Sequence, residues 1–193
     1  MASQIRSPAL LDRLPVKQGA LAGLGAFVTG MLVTVTLLVF DAEVSLSGDG
    51  REVLNTIAWW FYSAHYPVGI DLPWGRSTSL IADGSQGFPD LVYYLVPVAI
   101  LIPIGYLIAT ATPVTTGTPR AAILGGASVV VGYFPTVAIG TLVFTESEGG
   151  WTVRPAIVES LVVAGVVYPL VFGAIGGALA YASVKRRDGG SGG

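Results

Sequence analysis

Residues 91–111 read LVYYLVPVAILIPIGYLIATA, an unbroken run without a charged side chain. A helix crosses a bilayer with about 20 apolar residues, because about 30 Å of hydrocarbon is covered at 1.5 Å per residue. A strand of a membrane barrel needs only about 10 residues and alternates in polarity. This run is long and does not alternate, so it reads as a spanning helix. Three other stretches have the same character: 18–40, 121–144 and 160–184. Composition agrees. The 193 residues are 52% hydrophobic and 11% charged, with mean hydropathy +0.70. A soluble domain is about one quarter charged, and a water-facing surface of this size cannot be covered without that charge. The expected fold is therefore all-α: a single domain, a polytopic four-transmembrane-helix bundle with lipid around its outer surface.

The first stretch is expected to stay in the protein. Its apolar run exceeds the roughly 7–15 residues of a signal core, and the FDAEVS that follows at 40–45 lacks a small-x-small cleavage site. Orientation follows the Lys/Arg bias of short flanking segments. With the N-terminus inside, the inner segments hold Arg6, Arg13, Lys17, Arg120, Lys185, Arg186 and Arg187, against Arg51, Arg76 and Arg154 outside. Acids run the other way. Asp12 and Asp188 are inside, whereas Asp41, Glu43, Asp49, Glu52, Asp71, Asp83, Asp90, Glu146 and Glu148 are outside. The expected layout is a basic cytoplasmic lead over 1–17, a membrane domain over 18–184 with an acidic extracellular loop at 41–90, and a flexible cytoplasmic tail over 185–193.

The long outer loop carries REVLNTIAWWFYSAHY at 51–66, with Val53, Leu54, Ile57, Ala58 and Phe61 at helical spacing. Asp49 is a plausible cap, Glu52 falls in the first turn, and Pro67 and Gly69 end the pattern. Trp59, Trp60, Tyr62 and Tyr66 crowd this segment, and amphipathic rings favour the membrane–water boundary. It is expected to form a short interfacial helix on the outer leaflet or the bundle's rim, with an aromatic binding face as the other reading. Residues 67–90 read as an irregular loop pinned by Trp74 and Phe88. TPVTTGTP at 112–119 reads as a tight inner turn, and TESEGGWTVR at 145–154 as an outer turn with Trp151 at the interface.

Lipid tails are as apolar as Leu, so helices associate in a bilayer by close packing over small residues. The fourth stretch places Gly165, Pro169, Gly173 and Gly177 at four-residue spacing, and the first places Ala22, Ala26 and Gly30 likewise. These are the expected packing stripes, with partners within the chain or in a second copy. Pro97, Pro103, Pro135 and Pro169 each remove a helix hydrogen bond. AGLGAFVTG in the first stretch echoes LGGASVVVG in the third, a weak internal repeat of the kind some transporters show.

Chemistry is scarce. There is no cysteine, so disulfides, thiolate sites and cysteine nucleophiles are excluded, and one histidine, His65, rules out a His-rich metal site. No phosphate loop, GxSxG elbow or HExxH is present. His65, beside aromatics in the outer loop, reads as a surface or interfacial side chain rather than a general base. Glu159 reads as an interfacial carboxylate, or else a cation or proton site. Thr136 and Tyr168 are the other candidate polar-site residues. No catalytic, cofactor or metal site is expected, and the spread of basic residues gives nucleic acid no binding surface.

The KQGALAGLGAFVTG opening at 17–30, the acidic Trp-rich outer loop, the scarcity of lysine and the KRR at 185–187 resemble a family of small uncharacterised four-helix membrane proteins of haloarchaea. The resemblance implies a cell membrane facing high salt, where acidic outer loops hold water. The expectation is a non-catalytic membrane component, an accessory or packing subunit partnered by the bilayer and by copies of itself or a larger complex. The alternative is a small oligomeric solute transporter or channel, which would need Thr29, Thr136, Thr141 and Tyr168 to face one cavity.

Overall fold

The computed structural model describes residues 15–73, 75, 77–84, 86–112 and 117–190. Residues 1–14 of the expected lead over 1–17, the role of Trp74 and the centre of the inner turn at 113–116 lie outside the described residues. The helices are α1 (Val16–Phe40), α2 (Gly50–Ser63), α3 (Asp90–Ala111), α4 (Pro119–Ala127), α5 (Val130–Val143) and α6 (Ile157–Glu159), then a π-helical segment (Ser160–Val167) and α7 (Tyr168–Gly190). Among the described residues four helical stretches are long and apolar enough to cross a membrane: Val16–Phe40, Asp90–Ala111, Pro119–Val143 and Ile157–Arg187. They fall within a few residues of the four uncharged stretches. The last runs on, because α7 continues to Gly190 through the part of the sequence that reads as a flexible tail.

Local chemistry sets the helix starts. Thr118 caps α4 by accepting from the Ala121 N–H at 3.2 Å, and Pro119 occupies the first turn, where an N–H is dispensable. Asp49 begins α2 with a full capping box: its carboxylate accepts from the backbone of Arg51 and Glu52, and Glu52 accepts in return from the Asp49 N–H.

The bundle closes over glycine. α7 packs on α3 and α4, α1 packs on α5 and α3, and the π segment packs on α5. A methyl group on Gly105 would strike the backbone of Gly173, and one on Gly126 would strike Gly173 and Gly177. One on Gly177 would strike Ala122 and Ile123. Gly173 and Gly177 of the expected stripe thus sit in a seam where α3, α4 and α7 touch backbone to backbone, within one chain. Ala26 is fully buried and Ala22 packs at the edge of the same core. Gly165 lies against the ring of Phe134, and Gly30 receives the ring of Phe61 from α2 rather than a neighbouring long helix.

The surface is inverted relative to a water-soluble bundle. Leu21 is 74% exposed, Leu142 72% and Leu107 61%, whereas Thr34, Ser128, Thr141, Ser160 and His65 are buried. Large apolar side chains cover the outside of the helices as well as filling the core, and a few small polar groups are buried among them.

Two further expectations about the fold need correcting. The chain is mostly helical but not all-α. Outside the helices lies a four-stranded sheet in the order β2-β1-β4-β3, built from β1 (Ile70–Asp71), β2 (Ser77–Thr78), β3 (Glu146–Glu148) and β4 (Trp151–Pro155). The outer turn is a hairpin because Gly149 and Gly150 take positive φ, leaving Glu146 opposite Val153 and Ser147 opposite Thr152. The second correction concerns α2.

Candidate functional site

α2 does not lie on the rim. Its first turn is at the end of the bundle that carries the sheet, the end expected to be the outer one, with Arg51 and Glu52 exposed, but Trp60, Phe61 and Tyr62 are buried. Down one side it grips α5: the Trp59 indole N–H donates to the Phe144 carbonyl at 2.8 Å, and the Tyr62 hydroxyl to the Val137 carbonyl at 2.6 Å. On the other side the Phe61 ring meets Phe27 edge-on at 5.2 Å and covers Gly30. Gly30 lies ten residues before the end of α1, about 15 Å of helix inward. Of the rings that sequence reading assigns to an interface, Trp60 and Tyr62 are therefore buried inside the bundle and Trp59 is half-buried, whereas Tyr66 is 61% exposed. The helix supplies its own backbone hydrogen bonds, so its main chain can enter the bundle with its polar groups paired.

The chain then turns and climbs back. The Val68 N–H bonds the His65 carbonyl at 2.9 Å, and the Tyr66–Pro67 peptide is cis. Beyond the turn the Gly69 carbonyl accepts from the Ala156 N–H, and β1 pairs with β4, placing Ile70 opposite Pro155. Residues 50–70 thus enter the bundle from the end that carries the sheet and return to it.

His65 sits at the bottom of this re-entrant segment, buried and not at a surface or interface as its sequence context suggests. Its Nδ1 lies 2.9 Å from the Phe61 carbonyl and its Nε2 2.8 Å from the Tyr133 hydroxyl. A carbonyl only accepts, so Nδ1 carries the proton, Nε2 accepts, and the Tyr133 hydroxyl donates. Phe61 and Tyr168 box the ring edge-on, each with centroids 4.9 Å away. Burial pushes the imidazole down to about 4, against small upward pulls from the backbone of Phe61 and Tyr62, so it is neutral near pH 7. Burial likewise raises the Tyr62 phenol, which remains a donor.

A second buried group ties the outer frame. Asp41, just past α1, accepts from the Tyr93 hydroxyl at 2.7 Å and from the backbone N–H groups of Gly87 (2.8 Å), Phe88 (3.2 Å) and Glu43 (3.1 Å). Burial pushes its carboxyl up, but these four donors outweigh burial and hold it below its ordinary 3.8. A carboxylate lowered in the folded state stabilises above its unfolded value and loses that contribution as pH falls through the folded one. Unfolding monitored against pH should therefore show an acid limb beginning near 3.8. Asp41→Asn should lower stability at pH 7, by turning an amide N–H₂ toward donors, and should flatten that limb.

The polar residues singled out in the sequence are not brought together. Glu159 is exposed at the outer start of the fourth helical stretch, and Thr29 is exposed on α1. Thr136 donates to the Gly132 carbonyl of its own helix at 2.8 Å. Thr141 donates to the Val137 carbonyl at 2.9 Å beside Tyr62, whereas Tyr168 faces His65. A cleft of about 520 Å³ at the outer face, lined by Asp71, Trp151 and Arg154, and one of about 580 Å³ beside Arg51, Asn55 and Glu146 exclude all of them. An apolar groove between α1 and α3 excludes them too. Among the described residues no group of three or more His, Asp or Glu is placed to hold a metal ion.

Sequence reading missed the His65–Tyr133 and Asp41–Tyr93 pairs because their members lie 68 and 52 residues apart. One signal was available: residues 53–70 carry no acidic or basic side chain besides His65, in a loop that is otherwise acidic.

The model of a family of unknown function, DUF7978, matches residues 1–184. No curated protein and no solved structure matches the chain.

Proposed function

The chain belongs to that family, and from this premise we propose that it is a non-catalytic integral membrane component, a bundle stoppered at its outer end by residues 50–70. The observation that carries the reading is the apolar surface: Leu21, Leu107 and Leu142 are exposed on long uncharged helices that pack over glycine seams. Hydrocarbon is the solvent that suits such a surface. The charge bias puts both termini in the cytoplasm and the acidic hairpin outside, which suits a haloarchaeal cell membrane facing concentrated salt. The protein would act as an accessory or packing subunit, as copies of itself or in a larger complex.

The absence of native cysteine makes the test direct. Ser147→Cys on the exposed outer hairpin should react with a membrane-impermeant maleimide on intact cells, and Lys185→Cys at the opposite end should react only after lysis. Release of the chain from membranes by alkaline carbonate, or the reverse labelling pattern, defeats the membrane reading. Liposomes carrying the purified protein should take up ions and small solutes no faster than empty ones. Faster uptake would replace this reading with the transporter alternative, which lost support when the four hydroxyl groups did not converge.

A further inference from the structure

We propose that the cleft between the first turns of α2 and the end of α5 binds a small zwitterion, an α-amino acid with both its carboxylate and its ammonium free. The membrane reading above turns this cleft toward the outer solution, but the binding chemistry stands without it.

The cleft has a volume of about 580 Å³, with Arg51, Glu52 and Asn55 on one wall and Leu142, Thr145 and Glu146 on the other. Asn55 lies deepest. It is 2% exposed, and its Nδ2 has no acceptor. Buried polar groups are nearly always paired, and an unpaired one costs stability. Asn55, Trp59 and Tyr62 are four and three residues apart and so share one face of α2. Trp59 and Tyr62 both donate to carbonyls of α5 or its cap. The unpaired member of this stripe is the one that meets the cleft.

Two opposite charges stand unmatched around Asn55. Arg51 is one turn before it, on the same face of the helix. The guanidinium makes a single long bond, 3.5 Å to the Thr145 carbonyl. Glu146 makes no side-chain hydrogen bond or ion pair among the described residues, where the only ion pair within 4.0 Å is Arg154–Asp71. The neighbouring groups are spent. Asp49 and Glu52 close the capping box of α2, and Arg51 acts on Asp49 only through space. The Thr145 hydroxyl donates to the Thr141 carbonyl, and the Ser147 hydroxyl meets that of Thr152.

What stays free is one cation, one amide and one carboxylate. An anion alone would face Glu146, and a cation alone would face Arg51. The acids form no group placed to hold a metal ion among the described residues. A zwitterion answers all three groups. Its carboxylate takes a two-pronged bond from the guanidinium and accepts from the Asn55 N–H₂, and its ammonium donates to Glu146. Nδ2 is covered in the free protein. Arg51, on its one long bond, is the lining side chain free to move aside as the carboxylate enters. Leu142 offers an apolar edge along which the ligand's own side chain can lie.

The test uses the full chain in detergent, where orientation in a membrane plays no part. Its unfolding temperature is followed against each common L-amino acid in the low-millimolar range, where stabilisation by solute exclusion is weak. At least one should raise it saturably. The carboxamide and the N-acetyl derivative of that amino acid each lack one charge and should not. Arg51→Gln and Glu146→Gln should each weaken binding about 10-fold or more, the loss of one charge-assisted bond. Arg154→Gln, at the neighbouring cleft, should bind as the native chain does. Asn55→Leu should abolish binding and yet raise the unfolding temperature without ligand, because it removes the unpaired amide. Arg51 and Glu146 are not buried, so their variants keep the test decisive if leucine does not fit. No shift with any amino acid, equal binding of the blocked derivatives, or native binding in Arg51→Gln, Glu146→Gln or Asn55→Leu overturns the proposal. Carbonate extraction and maleimide labelling report separately on the membrane reading.

Discussion

Valine at Gly177 should leave the protein unable to fold to its native bundle, whereas valine at Gly25 should change nothing measurable. The two positions are alike in sequence: each is a helix glycine within an uncharged stretch. They differ in what a side chain would meet. A Cβ at Gly177 runs into the Ala122 carbonyl, and its further neighbours are backbone atoms of Ala122 and Ile123, none of which can rotate away. A Cβ at Gly25 meets nothing within 4 Å. Overpacking a well-filled core costs about 1–3 kcal/mol when side chains can adjust. Here the obstacle is another helix's backbone, so α4 and α7 must separate. That would also open the Gly126–Gly173 contact and, through Gly173, the contact with Gly105 on α3. The loss should therefore exceed that range and appear as aggregated material on size exclusion in detergent. Gly177→Ala, a smaller intrusion at the same place, should give a folded protein with a lowered unfolding temperature. Equal behaviour of Gly177→Val and Gly25→Val would show that the α4–α7 seam does not hold the bundle.

That contrast marks how much of the fold was legible. The four long helices were readable because a bilayer-length run without charge has few other fates, and lengths set by helix rise are nearly invariant. The Gly173–Gly177 stripe was readable for the same reason: four-residue spacing puts small residues on one face. Which glycines face a neighbour was not, because Gly25 and Gly177 carry the same local signal and only the assembled bundle distinguishes them. The capping box of α2 was half visible, in Asp49 and Glu52, since capping is a local rule. The destination of α2 was invisible. Trp59, Trp60 and Tyr62 suit an interface by their amphipathic rings, and they suit an interior equally once carbonyls at the end of α5 accept their hydrogens. The choice depends on Phe144 and Val137, 85 and 75 residues along the chain from Trp59 and Tyr62. The outer hairpin was overlooked although its Gly149–Gly150 pair is a common turn signal, because a ten-residue link between two long helices reads equally well as an unstructured turn.

Tyr133→Phe should destabilise the protein as much as His65→Leu does through their shared bond, and the double substitution should cost less than the sum. The phenylalanine keeps the ring that Phe27 meets edge-on at 6.0 Å, so the change is confined to the hydroxyl. Without it, His65 Nε2 is a buried acceptor with no donor, at a cost of about 1–3 kcal/mol. His65→Leu leaves the opposite defect, a buried phenol with nothing to accept its hydrogen, and frees the side-chain claim on the Phe61 carbonyl as well. Removing both partners leaves neither orphan. Apolar groups then face each other, an exchange that is close to neutral for the pair itself. The remaining penalty is the volume lost when leucine replaces an imidazole between Phe61 and Tyr168. A double-mutant cycle on unfolding in detergent at pH 7.5, where His65 is neutral, should therefore give a coupling energy of about 1 kcal/mol or more. Simple additivity would mean that the two groups do not share a hydrogen bond, and the foot of the re-entrant segment would then be held by ring packing alone.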